Sequence, residues 1–326
     1  KRWKYMKVLV YGIGVIGSLT VHELCKAGND VTVVSRGCWK EVLERQGLQI
    51  HSGKNKWIDY PKVLSKYDGQ VYDVVFSIMQ NQQQANILDT LAEIQAKYIV
   101  LVGNNLQSTE MQRRLEEKGK HPNDILFAFQ ASAGLRHENY TEVVSFNQTE
   151  FTIGHLKNEL CFEEQTFFQK LFCGSNMKLC FMDDMESWLF CHVAFILPAV
   201  YLSYGHHCNL RTVTMKDITM YVQATKEAYA FLKSIGMQIR PKNDDKNLVG
   251  IRGIFLKLIL WSIAKTKLGA LIASDHCRNA VAEMQHLDDS FNALRNKNPH
   301  LEMQNFDELR SKMPTWDRLY QEYKKE

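Results

Sequence analysis

The run Val8-Leu9-Val10-Tyr11-Gly12-Ile13-Gly14-Val15-Ile16-Gly17 constrains the remainder of the chain more than any other segment. Val8 to Tyr11 has the composition of a short buried strand, and Ser18 to Ala27 follows as an amphipathic helix. Between them, Gly12, Gly14 and Gly17 supply a G-x-G-x-x-G spacing. Gly12 lets the chain turn sharply, Gly14 lets the backbone approach a pyrophosphate, and Gly17 lets helix pack on strand. The free N–H groups and partial positive charge of a helix N-terminus then favour a phosphate. Glycine pairs also occur in ordinary loops, so the spacing gains its meaning from its setting: after one apolar strand and before another, Val31 to Val34. The spacing predicts a dinucleotide site in which Gly12, Ile13, Gly14, Val15, Ile16 and Gly17 contact the cofactor. The competing reading is a relic of the same fold that binds none.

Outward from that turn, Asp30 to Ser35 is an alternating, β-branched strand. At its end NAD-specific folds place a carboxylate for the ribose 2′-hydroxyl. Here the text is Ser35-Arg36-Gly37, with no carboxylate to repel a 2′-phosphate and an arginine able to pair with one. NADP is therefore expected over NAD, with Ser35 and Arg36 at the phosphate. A solvated surface arginine is the plain alternative. Val71 to Met79 and Tyr98 to Val102 are continuous apolar runs of the kind found in central parallel strands. Leu48 to His51 is expected as a short strand before a polar excursion, and Ala85 to Gln95 as a helix after the Gln80–Gln84 stretch. Ile125 to Phe129 leads into Gln-Ala-Ser-Ala-Gly, small residues read as a loop passing close to a ligand. Phe151 to Ile153 and Lys178 to Phe181 are shorter strands flanking a helix at Phe162 to Phe172. Alternating strands and helices predict a doubly wound α/β sheet. From Asp183 onward the alternation gives way to helical patterns over roughly 185–204, 213–234, 249–268, 275–295 and 304–324. The predicted organisation is a Rossmann-type NADP-binding domain over 1–182 and an all-helical substrate and dimerisation domain over 183–326.

Composition narrows the function classes. With 326 residues the chain can bury a sizeable core, and a net charge of +4 gives no reason to expect a nucleic-acid partner. The longest apolar run, Trp188 to Ser203, is interrupted by His192 and Pro198 and reads as too short for a membrane span, so no membrane is expected. Eight cysteines are scattered without C-x-x-C pairs or Cys/His ligand spacing, which points to no metal and to idle thiols in a reducing compartment. Lys1 to Met6 leads directly into the first strand without the apolar segment of a signal peptide, so a cytoplasmic setting is expected, and the sequons at Asn139 and Asn147 are chance matches. Met6 could be the native start, the first five residues then being an extension. Apolar helices such as Ile251 to Ile263 suit either core or the surface of a homodimer. The expected partner is a small-molecule substrate.

This combination resembles the ketopantoate reductase (2-dehydropantoate 2-reductase) family: a glycine-rich first turn, Ser35-Arg36-Gly37 after the second strand, Gly103-Asn104-Asn105 after a later one, and a helical second half. The resemblance implies an NADPH-dependent reductase of a 2-oxo acid, in the family's case a step of pantothenate biosynthesis. It implies that Arg36 receives the 2′-phosphate. The family's V-T-L-K-x-x-Q segment lines up with Phe76 to Gln82, which puts Ile78, Met79 and Gln82 at the cofactor and Met79 where a lysine is usual. The H-N-G segment lines up with Gly103-Asn104-Asn105, so Asn104 is expected to contact the cofactor and to take part in catalysis, and Glu110 keeps an acidic position in the next helix.

The second half departs from the family text W-x-K-x-x-x-N-x-x-x-N-P. Counting from Trp188 puts Phe190 at the lysine that acts as general acid, whereas counting back from Pro198 puts Leu189 there; a divergent branch resembling W-L-K-x-H-V-A-x-x-x-P favours the Trp188 register. Neither side chain can give a proton. His192 is the titratable group on that helix and is carried as a candidate catalytic acid, because an imidazolium donates readily near neutral pH. It lies about 200° around the helix from Phe190, and a histidine on an apolar helix is otherwise a hydrogen-bonded core residue. Phe190, Ser274 and Glu283 are the candidate substrate residues. For Ser274 before Asp275, ordinary helix capping is the stronger reading. Two functions remain open: an NADP-dependent reductase of a 2-oxo acid or related ketone, and an NADP(H)-binding regulatory or catalytically inactive homologue.

Overall fold

The computed structural model describes residues 5–144, 148–299 and 301–323. The sequon asparagine Asn147 and residues 1–4 lie outside that set. The chain divides into two compact units, Lys1–Glu186 and Ser187–Glu326. The mixed α/β first unit and helical second unit are the architecture that the sequence implied.

In the first unit the elements run β1 (Lys7–Tyr11), α1 (Val15–Lys26), β2 (Asp30–Val34), α2 (Gly37–Gln46), β3 (Leu48–Ser52), β4 (Asn55–Asp59), β5 (Lys62–Leu64), β6 (Tyr72–Ile78), α3 (Asn81–Asn86), α4 (Leu88–Glu93) and β7 (Ala96–Val102). They continue with α5 (Ser108–Glu117), β8 (Ile125–Gln130), β9 (Ala133–Arg136), β10 (Thr141–Val144), β11 (Thr149–Gly154), α6 (Phe162–Leu171) and β12 (Met177–Met182). Among the described residues, eight strands form one sheet in the order β12-β11-β8-β7-β6-β1-β2-β5. Strands β5, β2, β1, β6, β7 and β8 are mutually parallel, and β11 pairs antiparallel with β8. Strand β1 sits between β2 and β6, which is where the strand order reverses direction. A crevice opens at the carboxyl ends of the strands at such a point. Val8, Val10, Val74, Phe76, Val100 and Leu126 are fully buried, as expected for parallel strands covered on both faces.

A second, four-stranded sheet in the order β4-β3-β10-β9 is not what the sequence predicted. Gln130 ends β8, and the residues after it enter β9 instead of forming an open loop. Gly134 is small because a Cβ there would lie 2.0 Å from the Glu142 carbonyl oxygen, on the paired strand β10. The small residues of that segment therefore serve strand pairing. Helix α1 packs against this sheet as well as the large one, which explains why Gly17 to Leu24 are all buried. Its polar residues are matched one by one. Ser18 Oγ lies 3.1 Å from Thr141 Oγ1, Thr20 donates to Gln130 Oε1 at 2.6 Å, and His22 Nδ1 is 2.8 Å from Asp59 Oδ2. The expected one-sided helix is thus buried all round, and it starts at Val15. The expected helix over Ala85 to Gln95 is two short ones, α3 and α4, with the glutamine-rich stretch forming part of the first.

The second unit contains α7 (Met185–Gly205, starting two residues before the unit boundary), α8 (Met215–Ser234), α9 (Gly250–Ala264), α10 (Lys267–Gly269), a π-helical segment Ala270–Ser274, α11 (Asp275–Asn279), α12 (Val281–Lys297), α13 (Gln304–Lys312) and α14 (Trp316–Glu322). Helix α7 runs through Pro198 without a break. At 21 residues it is long and apolar enough to cross a membrane by length and composition, contrary to the sequence expectation, and 72% of its most apolar window is buried inside the structure. The expected helix over 304–324 is interrupted at Met313-Pro314-Thr315, where Pro314 cannot continue the ladder and Thr315 caps α14 by accepting from the Arg318 N–H. The core of this unit is tied around Asp288, which has no exposed surface. Its carboxylate accepts from Tyr201 Oη at 2.6 Å, Asn292 Nδ2 at 2.8 Å, Arg310 Nη2 at 2.8 Å and Trp316 Nε1 at 3.2 Å.

Candidate functional site

The site is built from three turns at the carboxyl ends of β1, β6 and β7. Gly12 leaves β1 with φ +88°, a conformation that favours glycine, and a Cβ there would lie 2.1 Å from the Ile78 carbonyl oxygen and 2.8 Å from Met79 Cγ. A Cβ on Gly17 would lie 1.9 Å from the Gly12 carbonyl oxygen. Both glycines are therefore required by the protein's own packing. Gly14 is different, since its φ of −83° is open to any residue and a Cβ there would meet nothing within 4 Å. Neither backbone conformation nor a protein neighbour requires the glycine at this position, and the space beside it is open. Gly14 is also the N-cap of α1, has no side chain to cap the helix, and no acidic residue stands in the first turn. The first N–H groups of α1 are left to an anion.

The neighbouring turns close in on the same place. Gly103 (φ +136°) would carry a Cβ 3.2 Å from the Met79 carbonyl oxygen. Gln84 fastens the ends of β6 and β7 by donating to the Ser77 and Val102 carbonyls at 2.8 and 3.0 Å. Ile78 is buried, and Met79, Gln82 and Asn104 are half-buried on these turns. Asn105, next to Asn104, is 1% exposed and is used by the turn itself, its Oδ1 accepting from the Gln107 N–H at 2.9 Å. Asn81, which the sequence reading passed over, is 2% exposed, and both ends of its side-chain amide lack a hydrogen-bond partner. Its sequence signal is position: a polar residue directly after the central strand, at the first turn of α3. A buried amide left open in this way is costly unless something satisfies it.

Ser35 and Arg36 occupy the end of β2. Ser35 is buried and its N–H bonds the Leu64 carbonyl at 2.9 Å, fixing the turn to β5. Arg36 is exposed and is the N-cap of α2, with extended backbone. No carboxylate stands beside it at the strand end, where the text is Ser35-Arg36-Gly37. Glu110 is an exposed residue on α5, forked to Arg113 at 2.7 and 2.9 Å, and that arginine holds its carboxyl below the usual range.

In the second unit, Trp188, Leu189 and Phe190 are buried on α7. His192 stacks on Trp188 with ring centroids 5.0 Å apart and planes 7° from parallel. Burial lowers its pKa to about 4. Burial favours the neutral ring over the expected imidazolium acid, because charging it would strip its hydration. Ser274 closes the π-helical segment with helical backbone, is fully buried, makes no capping bond, and its Oγ has no hydrogen-bond partner. The capping reading for Ser274 is thereby corrected. Glu283 lies near the start of α12 with its carboxylate 3.8 Å from His276 Nε2. Among the described residues no group of three or more metal-ligating side chains comes together.

Comparison with known proteins agrees with this geometry. Residues 8–158, which include all three turns, match the family "Ketopantoate reductase PanE/ApbA". A curated relative, the uncharacterized oxidoreductase YkpB of Bacillus subtilis (strain 168), is 39% identical over 70 residues, spanning 22% of this chain and 23% of the relative. Solved structures cover nearly the whole chain. D-mandelate dehydrogenase in a ternary structure with NADH and anilino(oxo)acetate has a TM-score of 0.74 at 15% identity over 98% of this chain and 99% of its own. A PanE/ApbA family ketopantoate reductase from Ralstonia eutropha JMP134 has 0.73 at 13% identity, over 98% and 100%. A dimeric ketopantoate reductase from Staphylococcus aureus has 0.67 at 10% identity, also over 98% and 100%. These likenesses establish a shared fold.

Proposed function

We propose that the chain is an NADP(H)-dependent oxidoreductase that reduces a 2-oxo acid or a related ketone. The observation that carries the reading is Gly14, whose missing side chain leaves space that nothing in the protein fills, at the N-terminus of an uncapped helix. A nicotinamide dinucleotide fits these residues. Its pyrophosphate would take the N–H groups of α1, Asn81 and Gln82 would offer amides beside it, Asn104 would sit at the nicotinamide end, and Arg36 would pair with a 2′-phosphate. When bound, it would supply the hydride; the chain's part is to bind, orient and manage the proton.

Met79 in the first unit, and Phe190 or Leu189 on α7, are apolar where the family text has lysine. That character supports a bulkier 2-oxo acid than ketopantoate, and D-mandelate dehydrogenase, whose substrate carries an aryl group, shares the fold. The eight cysteines form no disulfide among the described residues, which supports a reducing, cytoplasmic setting. A homodimer is part of the proposal, as in the S. aureus reductase. A second reading, a cofactor-binding regulator without turnover, is favoured by the two missing lysines and the neutral His192. NADPH oxidation assayed against ketopantoate, phenylglyoxylate and aliphatic 2-oxo acids, beside direct NADPH titration, separates the two. Turnover of any substrate supports the first reading, binding without turnover supports the second, and failure to bind overturns both.

A further inference from the structure

Helix α9 presents an apolar stripe that the described chain leaves open. Ile251, Ile254, Phe255, Leu258 and Ile259 are 74, 57, 61, 48 and 54% exposed. They stand at i, i+3, i+4, i+7 and i+8, so they share one face. Val249 and Trp261 extend it, at 47 and 38% exposed. The helix is nonetheless part of the second unit: Gly253 packs so closely that a Cβ would lie 2.7 Å from the Leu248 carbonyl oxygen, and Lys265 Nζ donates to the Arg211 and Val213 carbonyls. Together the open side chains amount to on the order of 700 Å². That exceeds the few hundred Å² typical of a monomer's largest patch and approaches the roughly 800 Å² each partner gives to a stable interface.

The stripe is also its own complement. If the helix is laid antiparallel on a second copy about a two-fold axis between Leu256 and Lys257, then Phe255 comes level with Leu258 and Ile254 with Ile259. Both pairs are apolar on both sides. A closed two-fold contact requires this self-complementarity, because each residue pair occurs twice. We infer that α9 is the contact between two copies of this chain, paired antiparallel through Ile254, Phe255, Leu258 and Ile259. The inference rests on the homodimer reading above and adds the face and the register.

The register is tested by complementary charge. Phe255→Lys and Leu258→Glu each place one charge in the contact, at positions exposed in the single chain, so circular dichroism and melting temperature should stay close to wild type. Sedimentation equilibrium should show a dimer for the wild type and at least a tenfold weaker dimer for each variant alone. An equimolar mixture should recover a mixed dimer, since the lysine of one chain then meets the glutamate of the other. Dimers unaffected by either change would leave the homodimer reading intact and overturn this face. Loss without recovery in the mixture would overturn the register. A wild type that stays monomeric at about 100 µM would overturn the inference, and co-sedimentation of that monomer with phosphatidylcholine vesicles would assign the stripe to a membrane surface.

Discussion

Substituting alanine separately at Gly14 and Gly17 should separate folding from binding within one turn. At Gly17 the added carbon would sit 1.9 Å from the Gly12 carbonyl oxygen, well inside contact distance and against backbone that is itself held by Ile78. Helix α1 must move off β1, and overpacking of that kind costs about 1–3 kcal/mol or more. At Gly14 the added carbon meets nothing and φ is already ordinary. Restricting the unfolded chain gains about 0.4–1 kcal/mol, and replacing glycine by alanine at an N-cap loses a similar amount, so that variant should stay close to wild type. Scanning calorimetry should therefore show the first unit's transition lowered in Gly17→Ala and close to wild type in Gly14→Ala. NADPH titration should show the opposite weighting for Gly14→Ala: the methyl group enters the space assigned to the pyrophosphate and displaces hydrogen bonds to a charged group. Each such bond is worth about 1.5–3 kcal/mol, so affinity should fall at least tenfold. A Gly14→Ala protein that binds NADPH like the wild type would refute the reasoning, since the open space would then have no ligand to explain it.

Phe190→Lys, placing an ammonium where the family has its acid, should raise NADPH-dependent reduction of 2-oxo acids, with Leu189→Lys as the register control; no gain from either in a protein that still binds NADPH would support the regulator. His192 makes stability pH-dependent. Its folded pKa of about 4 lies below the ordinary 6.5, so the unfolded state takes up the proton first, and stability present above pH 6.5 is lost as pH falls toward 4. Chemical denaturation at pH 7 and pH 4.5 should show that loss at no more than about 2–3 kcal/mol for this group, and His192→Asn should flatten it. Asp288→Ala should destabilise the second unit by about 1–3 kcal/mol, because it leaves the buried Tyr201 hydroxyl without its acceptor and takes the partner from a part-exposed Arg310; a midpoint shift corresponding to less than about 1 kcal/mol would show that the hydroxyl finds another acceptor.

The first unit was legible because its signals are local. Valine-rich runs bounded by Gly12 and Gly103 can form only buried strands, and the glycine spacing follows from contacts with Ile78 and Gly12 a few residues away in space. The second sheet was not legible. Its strands β9 and β10 are short, and the smallness of Ala133 and Gly134 reflects a partner strand that no local pattern announces. The polar residues of α1 misled for the same reason: Ser18, Thr20 and His22 look solvent-facing until Thr141, Gln130 and Asp59 are brought against them. In the second unit helix positions were readable from apolar periodicity, whereas the π-helical segment before Asp275 depends on packing and left Ser274 looking like a cap. Of the candidate site, the turns were legible by spacing. Asn81 was hidden because an asparagine at a helix start ordinarily caps it.

In the proposed function the first unit holds a nicotinamide dinucleotide with Arg36 at its 2′-phosphate. The direct measurement is the dissociation constants of NADPH and NADH for the wild type and Arg36→Ala, by calorimetric titration at fixed ionic strength. The expected result is tighter NADPH binding in the wild type, and a loss in the variant of about 1.5–3 kcal/mol for NADPH with little change for NADH. Equal affinity for the two cofactors, or an equal loss for both, would contradict it.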